Sequence, residues 1–142
     1  SYFARYAGVK HWMDQTIAAA KEAGYVTTLL GRRRAVPGLH ERNRTIQEAE
    51  RRVAINTPIQ GTSADIIKMA MLKLDQEIQA QGFDAHLVLQ IHDELVVAVK
   101  PYLAAKVTEL VQRCMTEAVN GWSVPLDVSV RQGNTWGEVS KL

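Results

Sequence analysis

The stretch Leu87-Val88-Leu89-Gln90-Ile91-His92-Asp93-Glu94-Leu95-Val96-Val97-Ala98-Val99 decides how this chain is read. Two apolar, largely β-branched runs flank a polar knot, His92-Asp93-Glu94, which predicts a hairpin with the knot at its tip. The near-continuous apolar character predicts that at least one strand is buried on both faces. Two adjacent carboxylates and an imidazole at the tip of a buried hairpin are costly unless something positive meets them. A divalent cation is one answer, since Mg²⁺ is held by one or two protein carboxylates plus substrate phosphates. A solvated turn whose charges keep it in water is the other, and from this stretch alone it is the simpler one.

Around that hairpin lies one domain's worth of chain. The 142 residues are 46% apolar and 23% charged, ordinary for a soluble globular protein with a real core. No run approaches a membrane span, and no basic-then-apolar leader opens the sequence. The opening Ser1-Tyr2-Phe3-Ala4-Arg5-Tyr6 lacks a methionine and reads as the middle of something, which suggests a fragment. Cys114 is the sole cysteine and lies in an apolar helical pattern, so it reads as a buried small hydrophobe rather than a nucleophile. The net charge of +2 is unevenly spread. Residues 32–52 carry seven arginines against three glutamates, a local +4, whereas residues 84–142 are net acidic. Arginine suits bidentate phosphate contact better than lysine does. Arg32-Arg33-Arg34 sits between Gly31 and the turn at Pro37-Gly38, where three adjacent cations cannot all pair locally, so phosphate binding is read ahead of a solvated face.

Taken in order, residues 8–23 form an amphipathic helix with Val9, Trp12, Met13, Ile17 and Ala20 on one stripe, stopped by Gly24. Tyr25–Leu30 has strand composition, and Arg34-Ala35-Val36 can return beside it as a small arginine-tipped hairpin. A helical pattern from Thr45 (Ile46, Ala49, Val53) breaks or kinks at Thr57-Pro58, because the residue before proline is pushed out of the α region. Thr62 or Ser63 can cap a second helix, with Asp65 as a capping-box-like partner of Thr62. That helix, to about Ala80, buries Ile67, Ala70, Met71, Leu74 and Ile78. The bend aims Asn56, Gln60 and Thr62 at whatever fills it, local capping being the alternative. After the central hairpin, Pro101 suits a first helical turn, and Leu103, Val107, Leu110, Val111, Cys114 and Ala118 make a core stripe that Asn120-Gly121 ends. Pro125–Val130 alternates and reads as a last strand beside the hairpin, followed by a turn-rich tail at 133–137. There is no internal repeat, zinc spacing, nucleophile elbow or P-loop. A metal-dependent phosphohydrolase built on His92 and Asp93 is disfavoured, because His11, His40 and His86 show no ligand spacing.

Three stretches together resemble the family A DNA polymerases, the bacterial DNA polymerase I type. Leu89-Gln90-Ile91-His92-Asp93-Glu94-Leu95 resembles that family's third polymerase motif. Residues 52–65, Arg52-Val53-Ala54-Ile55-Asn56-Thr57-Pro58-Ile59-Gln60-Gly61-Thr62-Ser63-Ala64-Asp65, resemble its helix along the primer-template. Gly24-Tyr25-Val26-Thr27-Thr28-Leu29-Leu30-Gly31-Arg32-Arg33-Arg34 resembles its fingers hairpin, and Val124–Val128 and Trp136 also fit. The likeness covers essentially the whole chain in order.

What the resemblance implies is specific. Asp93 matches one of the two aspartates that hold the catalytic Mg²⁺ ions, two of which are expected in the complete enzyme; Glu94 supports it, and His92 lies near the primer terminus. Arg52, Asn56 and Gln60 match residues that contact the nascent duplex in its minor groove, where acceptors at every base pair let donors test pair shape without reading sequence. The implied chemistry is two-metal nucleotidyl transfer, one metal lowering the pKa of the primer 3′-hydroxyl and the other neutralising the triphosphate. The implied fold is α+β. A small antiparallel sheet, the palm hairpin plus a C-terminal strand, packs with long helices; one of these is kinked near Pro58, and the N-terminus carries a helical fingers portion. Residues 1–60 correspond to partial fingers with the basic hairpin and 61–142 to partial palm. The implied partners are primer-template DNA, dNTP held through an upstream region, and that upstream polymerase segment, in a cytoplasmic setting without a membrane, nucleoid-associated if the source is bacterial. The family's other metal-binding aspartate and its dNTP-holding fingers helix lie upstream of the residue matching Ser1. Half an active site, inactive alone, is therefore expected, the alternative being a non-catalytic nucleic-acid-binding module derived from the same fold.

Overall fold

The computed structural model describes residues 5–119 and 121–141, the side chains of 140 and 141 excepted. The backbone divides into two units, Ser1–Asp65 and Ile66–Leu142.

In the first unit, helix α1 (Ala7–Ala23) ends where expected, with Gly24 in the left-handed region (φ 80°) and its N–H bonded to Ala20 O at 2.9 Å. Only the C-terminal half of its stripe is buried: Ile17 and Ala20 are covered, whereas Val9 and Trp12 remain exposed. Strands β1 (Tyr25–Thr27) and β2 (Arg33–Ala35) pair antiparallel as the arginine-tipped hairpin, with Thr27 opposite Arg33. The first strand stops short of Leu30 because Thr28 turns the chain. Its N–H donates to Arg32 O (2.9 Å), its hydroxyl accepts from the Arg32 N–H (3.1 Å), and Gly31 takes φ 87°. After a 3₁₀ turn at Pro37–His40, Val26, Val36 and Leu39 join Ala20 and Ala54 in a small core. Helix α2 (Arg44–Asn56) starts at Asn43, whose side chain accepts the Thr45 N–H at 2.9 Å.

Pro58 has no N–H to give the helix. The chain accommodates it with a π-helical turn, Thr57–Gly61, and resumes as α3 (Thr62–Ala80). One interrupted helix, rather than two separate ones, therefore carries the sequence past the proline. Thr62 does not cap a new helix: its hydroxyl donates to Pro58 O and accepts the Leu29 N–H (2.9 Å). Asp65 binds Arg32 of the hairpin loop.

The second unit packs Leu74 and Ile78 of α3 against strand β3 (Ala85–Ile91) and helix α4 (Ala104–Thr116), in a core of Leu74, Ile78, Ala85, Leu103, Val107, Leu110 and Cys114. Ile67 and Ala70 are buried as expected, and Pro101 opens a 3₁₀ turn leading into α4. β3 and β4 (Glu94–Val99) form the hairpin, but neither strand is buried on both faces. Leu87, Leu95, Val97 and Val99 pack on the core, whereas Val88 (61% exposed) and Leu89 (43%) face outward. The register slips between Leu87 and Leu89, leaving Val88 as an unpaired bulge that moves the tip-proximal residues of β3 to the opposite face. An apolar run thus hid a one-sided sheet.

The strand expected at 125–130 beside the hairpin is also absent. Leu126, Val128 and Val130 are half-buried and their neighbours exposed, so the alternation is real, yet the segment joins no ladder. Alternation specifies a face, not a partner. The pairing falls further on, between β5 (Arg131–Gln132) and β6 (Ser140–Lys141), a separate two-stranded ribbon. Helix α4 ends at Thr116, before the expected stop, of which Asn120 lies outside the described residues. Helices with small antiparallel pairs make an α+β fold, and among the described residues no helix is long and apolar enough to cross a membrane.

Candidate functional site

The three adjacent arginines go three ways. On a strand, successive side chains point to opposite faces. Arg33 lies over the Tyr25 ring, 4.7 Å from its centroid, in a cation–π contact, while Arg34 lines a groove. Arg32, in the loop, donates Nε to Asp65 Oδ1 (2.7 Å) and Nη2 to the Gly61 carbonyl (3.1 Å). Two of the three are therefore held locally, which tightens the expectation that all three serve phosphate.

The groove has a volume of about 320 Å³ and lies within the first unit. Its walls come from the arginine hairpin (Arg32, Arg34), from α2 (Arg52, Asn56) and from the π turn (Gln60, Gly61). Arg52 and Asn56 fall one helical turn apart, and the π turn carries the same face on to Gln60. Arg34, Arg52, Asn56 and Gln60 make no side-chain hydrogen bond or ion pair with any described residue, unlike Arg51 next door, which reaches Glu48 at 3.7 Å. Two uncompensated guanidinium groups and two primary amides thus share one concave surface. Guanidinium forks suit phosphate oxygens, and amide N–H groups suit base-edge or sugar acceptors. Thr57 lies beneath them, its buried hydroxyl without a hydrogen-bond partner among the described residues. Gly61 is required by proximity: a Cβ there would fall 2.8 Å from the Thr28 methyl.

The sequence reading takes Arg32, Arg33 and Arg34 as phosphate ligands and, through the resemblance, Arg52, Asn56 and Gln60 as duplex contacts; the structure brings Arg32, Arg34, Arg52, Asn56 and Gln60 to one groove and stacks Arg33 on Tyr25. Sequence reasoning missed the Arg32–Asp65 ion pair, whose members are far apart in sequence and carry no local signal. The irregularity read at Gly61 was the one available hint.

In the second unit, His92 and Asp93 form the two-residue turn between Ile91 and Glu94, which pair across the ladder. His92 adopts φ 53°, a left-handed conformation uncommon outside glycine and suited to a tight hairpin turn. Gln90 Nε2 donates to His92 O at 2.9 Å and holds the turn. The Asp93 and Glu94 carboxylates are exposed, and neither has an ion-pair partner among the described residues. Their unpaired hard oxygens fit a magnesium ion's donor preference. No group of three or more His, Cys, Asp or Glu suited to a metal occurs among the described residues, so Asp93 and Glu94 fit only a share of a coordination shell. Cys114 is fully buried in the α4 core, as a small hydrophobe, and burial pushes its thiol pKa up, which makes it inert.

A family model described as DNA polymerase family A matches residues 1–138. DNA polymerase I of Pseudomonas aeruginosa is 45% identical over 137 residues, 96% of this chain and 15% of the relative. DNA polymerase I of Deinococcus radiodurans is 46% identical over 135 residues, 95% of this chain and 14% of the relative. The chain thus spans roughly one seventh of the length of these curated relatives. Among solved structures, the POL domain of Pol1 from M. smegmatis, in complex with DNA primer-template and dNTP, superposes with a TM-score of 0.84 at 41% identity, covering 89% of this chain and 22% of that one.

Proposed function

The chain belongs to DNA polymerase family A, and on that premise we propose that it supplies the duplex-binding groove and one share of the two-metal site of a DNA-directed DNA polymerase. Residues 1–60 serve as partial fingers with the basic hairpin, and 61–142 as partial palm. The observation that carries the reading is the groove: Arg34, Arg52, Asn56 and Gln60 line one surface with every side chain unpartnered among the described residues. The guanidinium groups neutralise backbone phosphate or sit in the minor groove, and the amides donate to the purine N3 and pyrimidine O2 acceptors that every base pair presents there. Donors at fixed spacing reward correct pair geometry regardless of sequence, which is what a template-copying enzyme needs.

At the hairpin tip, Asp93 and Glu94 would hold Mg²⁺, with further ligands from elsewhere in the polymerase domain. When bound there, the metal supplies Lewis-acid activation of the primer 3′-hydroxyl and charge neutralisation at the triphosphate. The turn fixes where the carboxylates stand: the Gln90–His92 bond and the Ile91–Glu94 pairing leave both of them exposed and, among the described residues, free of competing cations. Primer-template DNA, dNTP and the rest of the polymerase domain are the partners; the solved relative bound to primer-template and dNTP supports this.

Mg²⁺-dependent primer extension tests the proposal, using the 142-residue chain alone and mixed with a polypeptide carrying the rest of a family A polymerase domain. Extension only in the mixture, abolished by Asp93→Asn, is the expected result. Extension by the chain alone would refute the shared site. A second reading, a non-catalytic duplex-binding module, draws on the groove lying wholly within the first unit. It predicts primer-template binding that depends on Arg52 and tolerates Asp93→Ala in every assay.

A further inference from the structure

We infer that Arg32 and Asp65 are positioning residues. Their ion pair latches the β1–β2 loop onto the π turn and thereby fixes Gln60 relative to Arg34 on the hairpin and to Arg52 and Asn56 on α2. The inference rests on the nucleic-acid reading of the groove, but the latch can be observed without DNA.

Three contacts run from loop residues 29–32 to residues 58–65. Arg32 Nε binds Asp65 Oδ1 at 2.7 Å, Arg32 Nη2 binds Gly61 O at 3.1 Å, and the Leu29 N–H binds Thr62 Oγ1 at 2.9 Å. The Thr62 hydroxyl donates in turn to Pro58 O, so the loop is tied to both ends of the π turn. The Asp65 side chain is only 11% exposed, and a carboxylate that far from water holds its guanidinium partner firmly. A π turn is intrinsically a weak stretch of helix, and here it carries Gln60 directly and adjoins Asn56. Without an external tie, Gln60 loses its fixed spacing from Arg52 and Asn56 and from Arg34 across the groove.

The same geometry commits the Nε–Nη2 edge of Arg32 to Asp65 and Gly61. A phosphate approaching that edge would have to displace both a carboxylate and a carbonyl, whereas Arg34 and Arg52 have no competitor among the described residues. Arg32 therefore acts through Gly61 and Asp65, and the salt slope of binding shows whether its remaining N–H groups also meet phosphate.

The test compares wild-type chain, Arg32→Gln, Asp65→Asn and Arg34→Gln. Amide hydrogen exchange at Leu29 reports the latch directly. It should speed up by about tenfold in Arg32→Gln and Asp65→Asn through local opening, with amides of α4 unchanged. Primer-template affinity, measured against salt, reports the role. Both latch variants should bind roughly fivefold more weakly with the wild-type salt slope. Arg34→Gln, which loses a phosphate contact, should lower the slope by about 0.9. Asp65→Asn frees a cation, so binding that stays level or strengthens, with Arg32→Gln lowering the slope, would make Arg32 a phosphate ligand and overturn the inference. Unchanged Leu29 exchange in both variants overturns it as well. A wild-type chain that binds no duplex, with Leu29 exchange responding as expected, refutes the groove reading and leaves the latch standing.

Discussion

Gly61→Ala tests how closely the arginine hairpin approaches the π turn. Two opposing terms decide the outcome. Alanine is favoured over glycine in a helix by about 0.8–1 kcal/mol, because glycine loses more backbone freedom on folding. Against this, the new Cβ would fall 2.8 Å from Thr28 Cγ2 and 3.2 Å from Arg32 Nη2. Non-bonded carbons rest about 3.5–4.0 Å apart, so the methyl pair must separate by roughly 0.7 Å or more. The Arg32 end can swing; the Thr28 methyl, one bond from a buried β-carbon in a hydrogen-bonded turn, cannot. Overpacking of this kind costs about 1–3 kcal/mol, so Gly61→Ala should destabilise by about 1 kcal/mol net. Thr28→Ser isolates the cause, since it deletes the clashing methyl and keeps the hydroxyl that accepts the Arg32 N–H. In that background Gly61→Ala should become neutral or stabilising by up to about 1 kcal/mol, a coupling of roughly 1–2 kcal/mol across the cycle. Urea unfolding of the four proteins by far-ultraviolet circular dichroism, with m compared throughout, measures it. An equal cost for Gly61→Ala in both backgrounds refutes the close approach.

Arg52→Ala should weaken primer-template binding by about tenfold and lower the slope of log K against log salt by about 0.9, as titrations between low and moderate salt would show. Leu74→Ala empties the centre of the second unit's core, where Leu74 is fully buried, and should cost about 3 kcal/mol in urea unfolding. Burial raises the Cys114 pKa above its unfolded value, so the folded chain keeps its thiol proton to higher pH than the unfolded one. The resulting stability is complete below the unfolded pKa and falls as pH rises towards the folded one; Cys114→Ala should flatten that alkaline decline in unfolding measurements made from about pH 8 to 10.

Helical periodicity made much of this molecule legible. The stripes of α3 and α4 place Leu74, Ile78, Val107, Leu110 and Cys114 in one core because a 3.6-residue repeat has one geometric solution. Gly24 and Pro58 were readable for a similar reason: each restricts the backbone locally, whatever the tertiary setting. Partners were harder to read. Nothing near Asp65 in sequence distinguishes a helix-capping carboxylate from one that meets an arginine in a distant loop. The alternation at 125–130 announces a half-buried segment but not a ladder, and the apolar run at 87–99 could not reveal that a bulge at Val88 turns part of it outward. Site residues followed the same division. Arg52, Asn56 and Gln60 were named together through the family resemblance and line one groove, whereas the fates of Arg32 and Arg33 depended on Asp65 and Tyr25, which only the folded chain brings near.

The left-handed backbone at His92 sets two selections on this hairpin against each other. A side chain at that φ costs about 1–2 kcal/mol relative to glycine. A library screened for heat resistance alone should therefore enrich His92→Gly. A library screened for DNA synthesis by the assembled polymerase should reject it, because a glycine turn no longer fixes the backbone that presents Asp93. Sequencing the same hairpin after each screen would show whether chain rigidity or catalysis keeps an imidazole at the tip.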